Sequence, residues 1–492
     1  MRTANQWAKV RRSLIILTIA ALGCVLTSSS RATTIIVSNT ADSGIGSLRA
    51  AIGNAANFDT VDASGVTGTI VLTSGPLGVG KNLTIIGPGA GNLSVNGNAA
   101  GRVFNVQGSR NYVTISGLTI TNGSVGFSSP LQKGGGIYNQ ASLVLNGCVL
   151  SGNSAYSGGA IFNEAPCPSG MICVPERGRG NLTINNSTLT GNFAVFGSGI
   201  YNENVASISK STFCLNEAIE GGGVCNASFY SVGGTMTIVD SCFNNNLAAG
   251  AGGISNEGGS MDISDSTFSG NDGGGIYNGG VSSSLIVKFC TFSGNSASNT
   301  GSAITGSANV GGTIFSAGNG ANLDGGITSL GYNLCSDDGS GCLTAIGDVI
   351  NTDAQLGPLQ DNGGSTKTLA LLPGSPAIDA GDPSFTPPPD FDQRGPGFPR
   401  AVNGRIDIGA FEFTPDLLIT AVDRIGDDLR LTFGVALLGE NYEVQSRTNL
   451  SSGSWESLAG SIPGNGGNAQ VTITNALSVS PQFFRIHQLP AL

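Results

Sequence analysis

Between residues 134 and 306 one phrase keeps returning: GGGIYN at 134–139, GGAIFN at 158–163, GSGIYN at 197–202, GGGVCN at 221–226, AGGISN at 251–256, GGGIYN at 273–278 and a decayed GSAITG at 301–306. A second phrase alternates with it, closing on Asn153, Asn192, Asn216, Asn246, Asn271 and Asn295. Two interleaved phrases with one shared period describe a chain wound into coils, none of which buries a core alone. The Asn closing the first phrase recurs in steps of 24, 39, 24, 30 and 22 residues. A unit near 24 explains these steps once two insertions are set aside, EAPCPSGMICVPERGRG after Asn163 and ASFYSVGG after Asn226.

Each unit holds short alternating or β-branched runs (SLVLNG, NLTINNS, TMTIVDS, SLIVKF) separated by Gly, Asn and Ser. These are strand and turn signals without the 3.6-residue period of a helix. The expected fold is all-β: a right-handed parallel β-helix of three short strands per coil, stacked at about 4.8 Å. In that winding the Asn residues form amide ladders. Ile137, Ile161, Ile200, Val224, Ile254 and Ile276 form an internal aliphatic stack.

Residues 1–32 read as a secretory signal, with Arg2, Lys9, Arg11 and Arg12 ahead of the apolar run Leu14–Leu26. No later segment is apolar enough to span a bilayer as a helix. Export and a secreted or surface location are expected. Removing the leader takes away five basic residues and no acidic ones, so the formal charge moves from −10 to −15, which disfavours nucleic acid as a partner. Residues 33–133 hold the first coils, with a helix over Ser47–Asn57 as a lid on the open sheet end. Residues 134–345 are the repeat body and 346–413 a closing segment. The runs within 415–492 predict a small antiparallel β-sandwich. A monomer is expected.

The repeats GG[AG]-I-x-N and F-x-x-N are similar to those of the chlamydial polymorphic outer-membrane proteins. The ordered set SLRAAI, KNLTIIGPG, ISGLTITNG, LGPLQDNGGSTKT, LLPGSPAIDAGD, DQRG and DIGAFE resembles bacterial secreted β-helix proteins described as choice-of-anchor Q domain-containing. The resemblance covers 33–413 and implies an exported β-helix of mostly unassigned activity. Fewer than 80 residues follow 413, too few for a translocating outer-membrane barrel.

The single histidine, His487, lies in the terminal module, so His-based catalysis is unavailable in the coils. The position after the Asn ladder reads Gln140, Glu164, Glu203, Ala227, Glu257, Gly279, which places Glu164 and Glu203 on adjacent coils. There they would perturb each other or share Ca²⁺. The insertion after Asn163 adds Glu176, Arg177 and Arg179 as candidate ligand-binding residues beside a possible Cys167–Cys173 disulfide; Cys335 and Cys342 are a second candidate pair. Asp379, Asp382 and Asp392 are candidate Ca²⁺ ligands. Asp240 and Asp265 read as a turn column with Asn186, Lys210 and Phe289, and Trp455 as packing within the module. No convergent carboxylate trio is visible, so the leading reading is a non-catalytic protein for surface adhesion or extracellular glycan contact. The alternative is a polysaccharide lyase or glycoside hydrolase.

Overall fold

The computed structural model describes residues 32–165, 180–229, 232–280, 282–298, 300–316, 318–402, 404–414, 418–436, 441–448, 455–463, 467–477 and 483–488. The expected leader up to residue 31 lies outside them. So does most of the first insertion, with Cys167, Cys173, Glu176, Arg177 and Arg179.

The coils wind as a right-handed parallel β-helix. Among the described residues three long parallel sheets of 12, 11 and 11 strands run its length, and only the second carries an antiparallel return, Val232–Gly233. The first sheet runs from Thr34–Ile36 to Ile327–Ser329, the second from Leu77–Val79 to Leu323–Asp324, and the third from Gly68–Val71 to Leu334–Cys335. A fourth, short sheet of four strands (Ser154–Ser157, Phe193–Phe196, Glu217–Ala218 and Leu247–Ala248) adds a side to the middle coils.

The Asn columns stack as the period requires. Asn139, Asn163, Asn202, Asn226, Asn256 and Asn278 are successive register partners in the second sheet. Each Nδ2 donates to the Oδ1 of the next member at 2.6–2.8 Å. The second ladder, Asn153 to Asn295, bonds more densely. Asn246, for example, donates to Asn271 Oδ1 and to the Phe213 carbonyl, both at 2.9 Å, and accepts from both the backbone N–H and Nδ2 of Asn216. A buried amide with every lone pair and proton engaged avoids the desolvation cost of burying it. Inside the third sheet, Phe213, Phe243, Phe268, Phe292 and Phe315 stack with centroids 4.6–5.5 Å apart.

Two corners explain the other repeated letters. Gly134, Gly158, Gly197 and Gly221 have φ between +57° and +67°, and a Cβ there would collide with the carbonyl oxygen three residues on, so these four corners are restricted to glycine. The corner between the first and third sheets is also left-handed at Asn186, Lys210, Asp240, Asp265 and Phe289, with φ from 46° to 52°. The turn reading of that column holds.

The lid helix spans Leu48–Asn54, shorter than expected. Ser47 caps its N-terminus by accepting from Ala50 N–H, and Leu48, Ala51 and Ile52 are buried. It stops early because Ala55 is extended (ψ 142°) and Lys81 Nζ satisfies the carbonyls of Ile52, Gly53 and Ala55.

The closing segment does more than end the helix. It doubles back along the third sheet and straps successive coils. Thr366 Oγ1 donates to the Asp240 carbonyl, Thr267 Oγ1 donates to Gln393 Oε1, Ala410 N–H donates to Thr291 Oγ1, and Gly409 N–H donates to the Gly312 carbonyl. Beneath it Arg400, 1% exposed, sits over the Phe289 ring at 4.8 Å and 4.0 Å from Asp265. That ion pair is loose: within the described residues neither Arg400 Nε nor Asp265 Oδ1 has a hydrogen-bond partner. Burial therefore outweighs the arginine's attraction and pushes the Asp265 carboxyl up to about 7; Asp240 is pushed up to about 6, also by burial. The described parts of the terminal module form two three-stranded antiparallel sheets around Leu431, Phe433, Tyr442 and Val444.

An unfolded aspartate titrates near 3.9, so Asp240 and Asp265 hold protons more tightly when folded. The stability they contribute is complete below about pH 4 and lost as pH rises through about 6 and 7. Asn occupies the same corner at Asn186, so Asp265→Asn fits the backbone. We expect melting temperatures between pH 5 and 8 to fall more steeply for the wild type than for this variant; parallel curves would contradict the strap electrostatics.

Candidate functional site

On the outer face of the second sheet, residues two apart point the same way. The residue before each ladder Asn and the residue after it therefore form two adjacent columns. The first reads Tyr138, Phe162, Tyr201, Cys225, Ser255, Tyr277, and the second Gln140, Glu164, Glu203, Ala227, Glu257, Gly279. Three successive rings stack in the first column: Tyr138 on Phe162 at 5.9 Å, and Phe162 on Tyr201 at 5.1 Å.

Beside the rings lies a charged cluster. Lys133 Nζ stands 4.2 Å over the Phe162 ring and 3.2 Å from Glu164 Oε1. Glu164 Oε2 accepts from Tyr138 Oη and from Gln140 Nε2. Arg102 stacks on Tyr138 at 4.8 Å while donating to the carbonyls of Lys133 and Gly134. Glu203, one coil on, is 5% exposed. Burial pushes its carboxyl up to about 7 against the pull of Lys133, with the Glu164 charge raising it further and the backbone N–H of Ala165 lowering it. Glu164 thus perturbs Glu203 across the coil spacing.

Glu257 lies two coils beyond Glu203, accepts from Ser255 Oγ at 2.7 Å, and opens onto a groove of about 730 Å³. Glu217, Glu220, Leu247, Asp272 and Tyr277 also line it. Burial, then the Glu257 charge, raises the Glu220 carboxyl. The three column glutamates therefore share one face, but only Glu164 and Glu203 are neighbours.

Other expected sites are not assembled. Cys335 and Cys342 are both free thiols. The 3₁₀ turn Gly339–Gly341 directs them apart: Cys335 Sγ bonds Asp337 Oδ1 at 2.9 Å, whereas Cys342 Sγ faces the Ser340 and Gly325 carbonyls. Asp379, Asp382 and Asp392 do not converge on a Ca²⁺ site. Asp392 is buried against Arg394 at 2.6 Å, Asp382 accepts from the backbone N–H and hydroxyl of Ser384, and the Asp379 N–H is bound to Asp407. Among the described residues no three His, Cys, Asp or Glu side chains are grouped to hold a metal. Trp455 lies between Arg447 and Arg485, at 5.3 and 4.5 Å. His487 pairs with Glu443 at 3.2 Å on neighbouring strands of the terminal module.

Sequence reasoning missed Arg102, Lys133, Tyr138, Phe162 and Tyr201. The signal was there: in IYNQ, IFNE and IYNE the aromatic and the polar residue stand two apart and face the same way.

No protein-family model matches the chain, and no curated protein matches it. Among solved structures it is similar to one described as "a new PL6 alginate lyase complex with trisaccharide", at 13% identity and a TM-score of 0.26, covering 71% of this chain and 93% of that one. So loose a likeness carries no argument about residues or chemistry.

With glutamate carboxyls labelled with ¹³C, we expect an NMR titration to show a resonance with a midpoint near pH 7 that disappears in Glu203→Gln. Glu412, also raised by burial, supplies a second high-titrating signal that remains. Loss of no high-titrating resonance in the variant would contradict the assignment.

Proposed function

We propose that this chain is an exported β-helix protein that contacts an extracellular glycan along the outer face of its second sheet, with the terminal module as an attachment or binding unit. The observation carrying this reading is the pair of half-buried rings Tyr138 and Tyr201, stacked on either side of the buried Phe162, lying beside the half-buried Gln140 and Glu164. Sugars present apolar C–H faces and hydroxyl edges. A strip of rings with a few fixed polar groups alongside supplies the complement to both. The coil spacing sets this pairing on three successive coils, ending at Cys225 and Ala227, a length that suits a short stretch of a polymer.

Export rests on the leader sequence and on the motif resemblance to secreted choice-of-anchor Q domain-containing proteins. The net negative charge favours a glycan over a nucleic acid. Surface adhesion is the role such contact would serve.

The test is binding of the mature protein to an array of neutral and uronic-acid oligosaccharides, followed by titration of the strongest ligand. We expect Tyr138→Ala and Tyr201→Ala each to weaken binding by about tenfold or more, about 1.4 kcal/mol. A wild type that retains no glycan, or ring variants that bind unchanged, would overturn the proposal.

A further inference from the structure

We propose that the groove beyond the ring column holds a glycan carrying free amino groups, an inference that rests on the glycan-binding reading of this face and names the charge class of the sugar. The groove has a volume of about 730 Å³, inside the range of about 300–1,000 Å³ typical of ligand clefts. Ser255, Glu257 and Tyr277 of the second sheet line one side of it, and Glu217 and Leu247 of the fourth sheet the other. It opens where side chains shrink. The ring column falls from Tyr201 to Cys225 and Ser255, and the fourth sheet brings the register partners Ala218 and Ala248 to the lining. A ring returns at Tyr277, where Gly279 lacks the Cβ that would collide with it and Glu257 is the register partner of that glycine.

The charge on these walls has one sign. Glu217, Glu220, Glu257 and Asp272 line the groove, and none of its described lining residues is Lys, Arg or His. Among the described residues none of the four is in an ion pair. Glu257 and Asp272 instead accept from the hydroxyls of Ser255 and Ser296, each at 2.7 Å. Upstream, by contrast, Lys133 answers Glu164. Burial and then the Glu257 charge already oppose ionisation of Glu220, so a cation brought into the groove relieves a repulsion as well as making a pair.

The four carboxyls are spread over both walls, and among the described residues no three gather as a metal ion needs. Charge spread in this way matches ammonium groups set along a chain better than one point charge. A uronic acid would meet like charge, and an N-acetylated sugar would leave the carboxyls unanswered. Beside the carboxyls the Tyr277 ring offers a flat apolar contact for the C–H face of a sugar ring. A hexosamine polymer with its amines free supplies both features in every unit.

The test is calorimetric titration of the mature protein, in low salt and at a pH that keeps amines protonated. The ligands are short glucosamine oligomers, the same oligomers N-acetylated, uronic-acid oligomers and oligolysine. We expect the free-amine oligomers to bind about tenfold or more tightly than the N-acetylated ones, with the preference shrinking as salt is added. Glu217→Gln and Glu257→Gln should each cut that preference by about threefold, with the melting temperature and the affinity for N-acetylated oligomers unchanged. Equal affinity for the amine and acetylated forms, glutamine variants that keep the preference, or oligolysine held as tightly as the amine oligomers would each overturn this inference. Glycan binding that still weakens in Tyr138→Ala and Tyr201→Ala would then leave the binding reading standing. Binding of no glycan at all overturns both.

Discussion

The repeat coils of this helix depend on the amide-to-amide hydrogen bond between stacked asparagines. Parallel strands have uniform backbone bonds, which alone do not prevent one coil from slipping against the next. A buried Asn that bonds its counterpart above and below makes slippage expensive, since a one-residue shift would leave several amide groups buried without partners. Two ladders, one ending the second-sheet strand and one following the third-sheet strand, pin the repeat coils at two places. Between them the aliphatic and phenylalanine stacks need only fill space.

That shared phase also produces the candidate site. Because Asn163 and Asn202 are locked together, Phe162 must lie over Tyr201 and Glu164 beside Glu203. No loop is needed to bring the rings and carboxyl groups together. The strap on the third sheet contributes rigidity of another kind. It ties separate coils to one segment through Thr366, Gln393, Gly409 and Ala410, and it buries carboxyl groups that would otherwise repel. Protonation of those groups makes the strap's grip depend on pH, while the ladders, being neutral, hold at any pH.

The ladders, the aliphatic stack, the left-handed corner and the lid helix were legible in the sequence because each repeats or caps a repeat. The ring column was legible in principle from its two-residue offset to the glutamates, but it breaks at Cys225 and Ser255, whereas the Asn and aliphatic columns run on unbroken. The doubling-back of the closing segment could not be read, because its contacts join residues about a hundred or more positions apart with no shared period, as in Thr267 with Gln393. Cys335 and Cys342 looked like partners by spacing, yet a left-handed Ser340 (φ 52°) in the intervening turn sends them different ways. The clustered aspartates likewise looked like metal ligands, but Ser384 already occupies Asp382, and Arg394 and the Glu412 N–H already occupy Asp392.

The most direct measurement of the ladder's role is the denaturant unfolding of Asn246→Ala beside that of Ser269→Ala, a substitution on the third sheet at a half-buried position. Removing the Asn246 amide leaves two buried donors of Asn216 without acceptors, each costing about 1–3 kcal/mol. The account predicts a loss of about 3 kcal/mol or more for Asn246→Ala against about 0.5 kcal/mol or less for Ser269→Ala. Equal, small losses for the two would contradict it, because coil register would then be held by packing and backbone bonds without the asparagines.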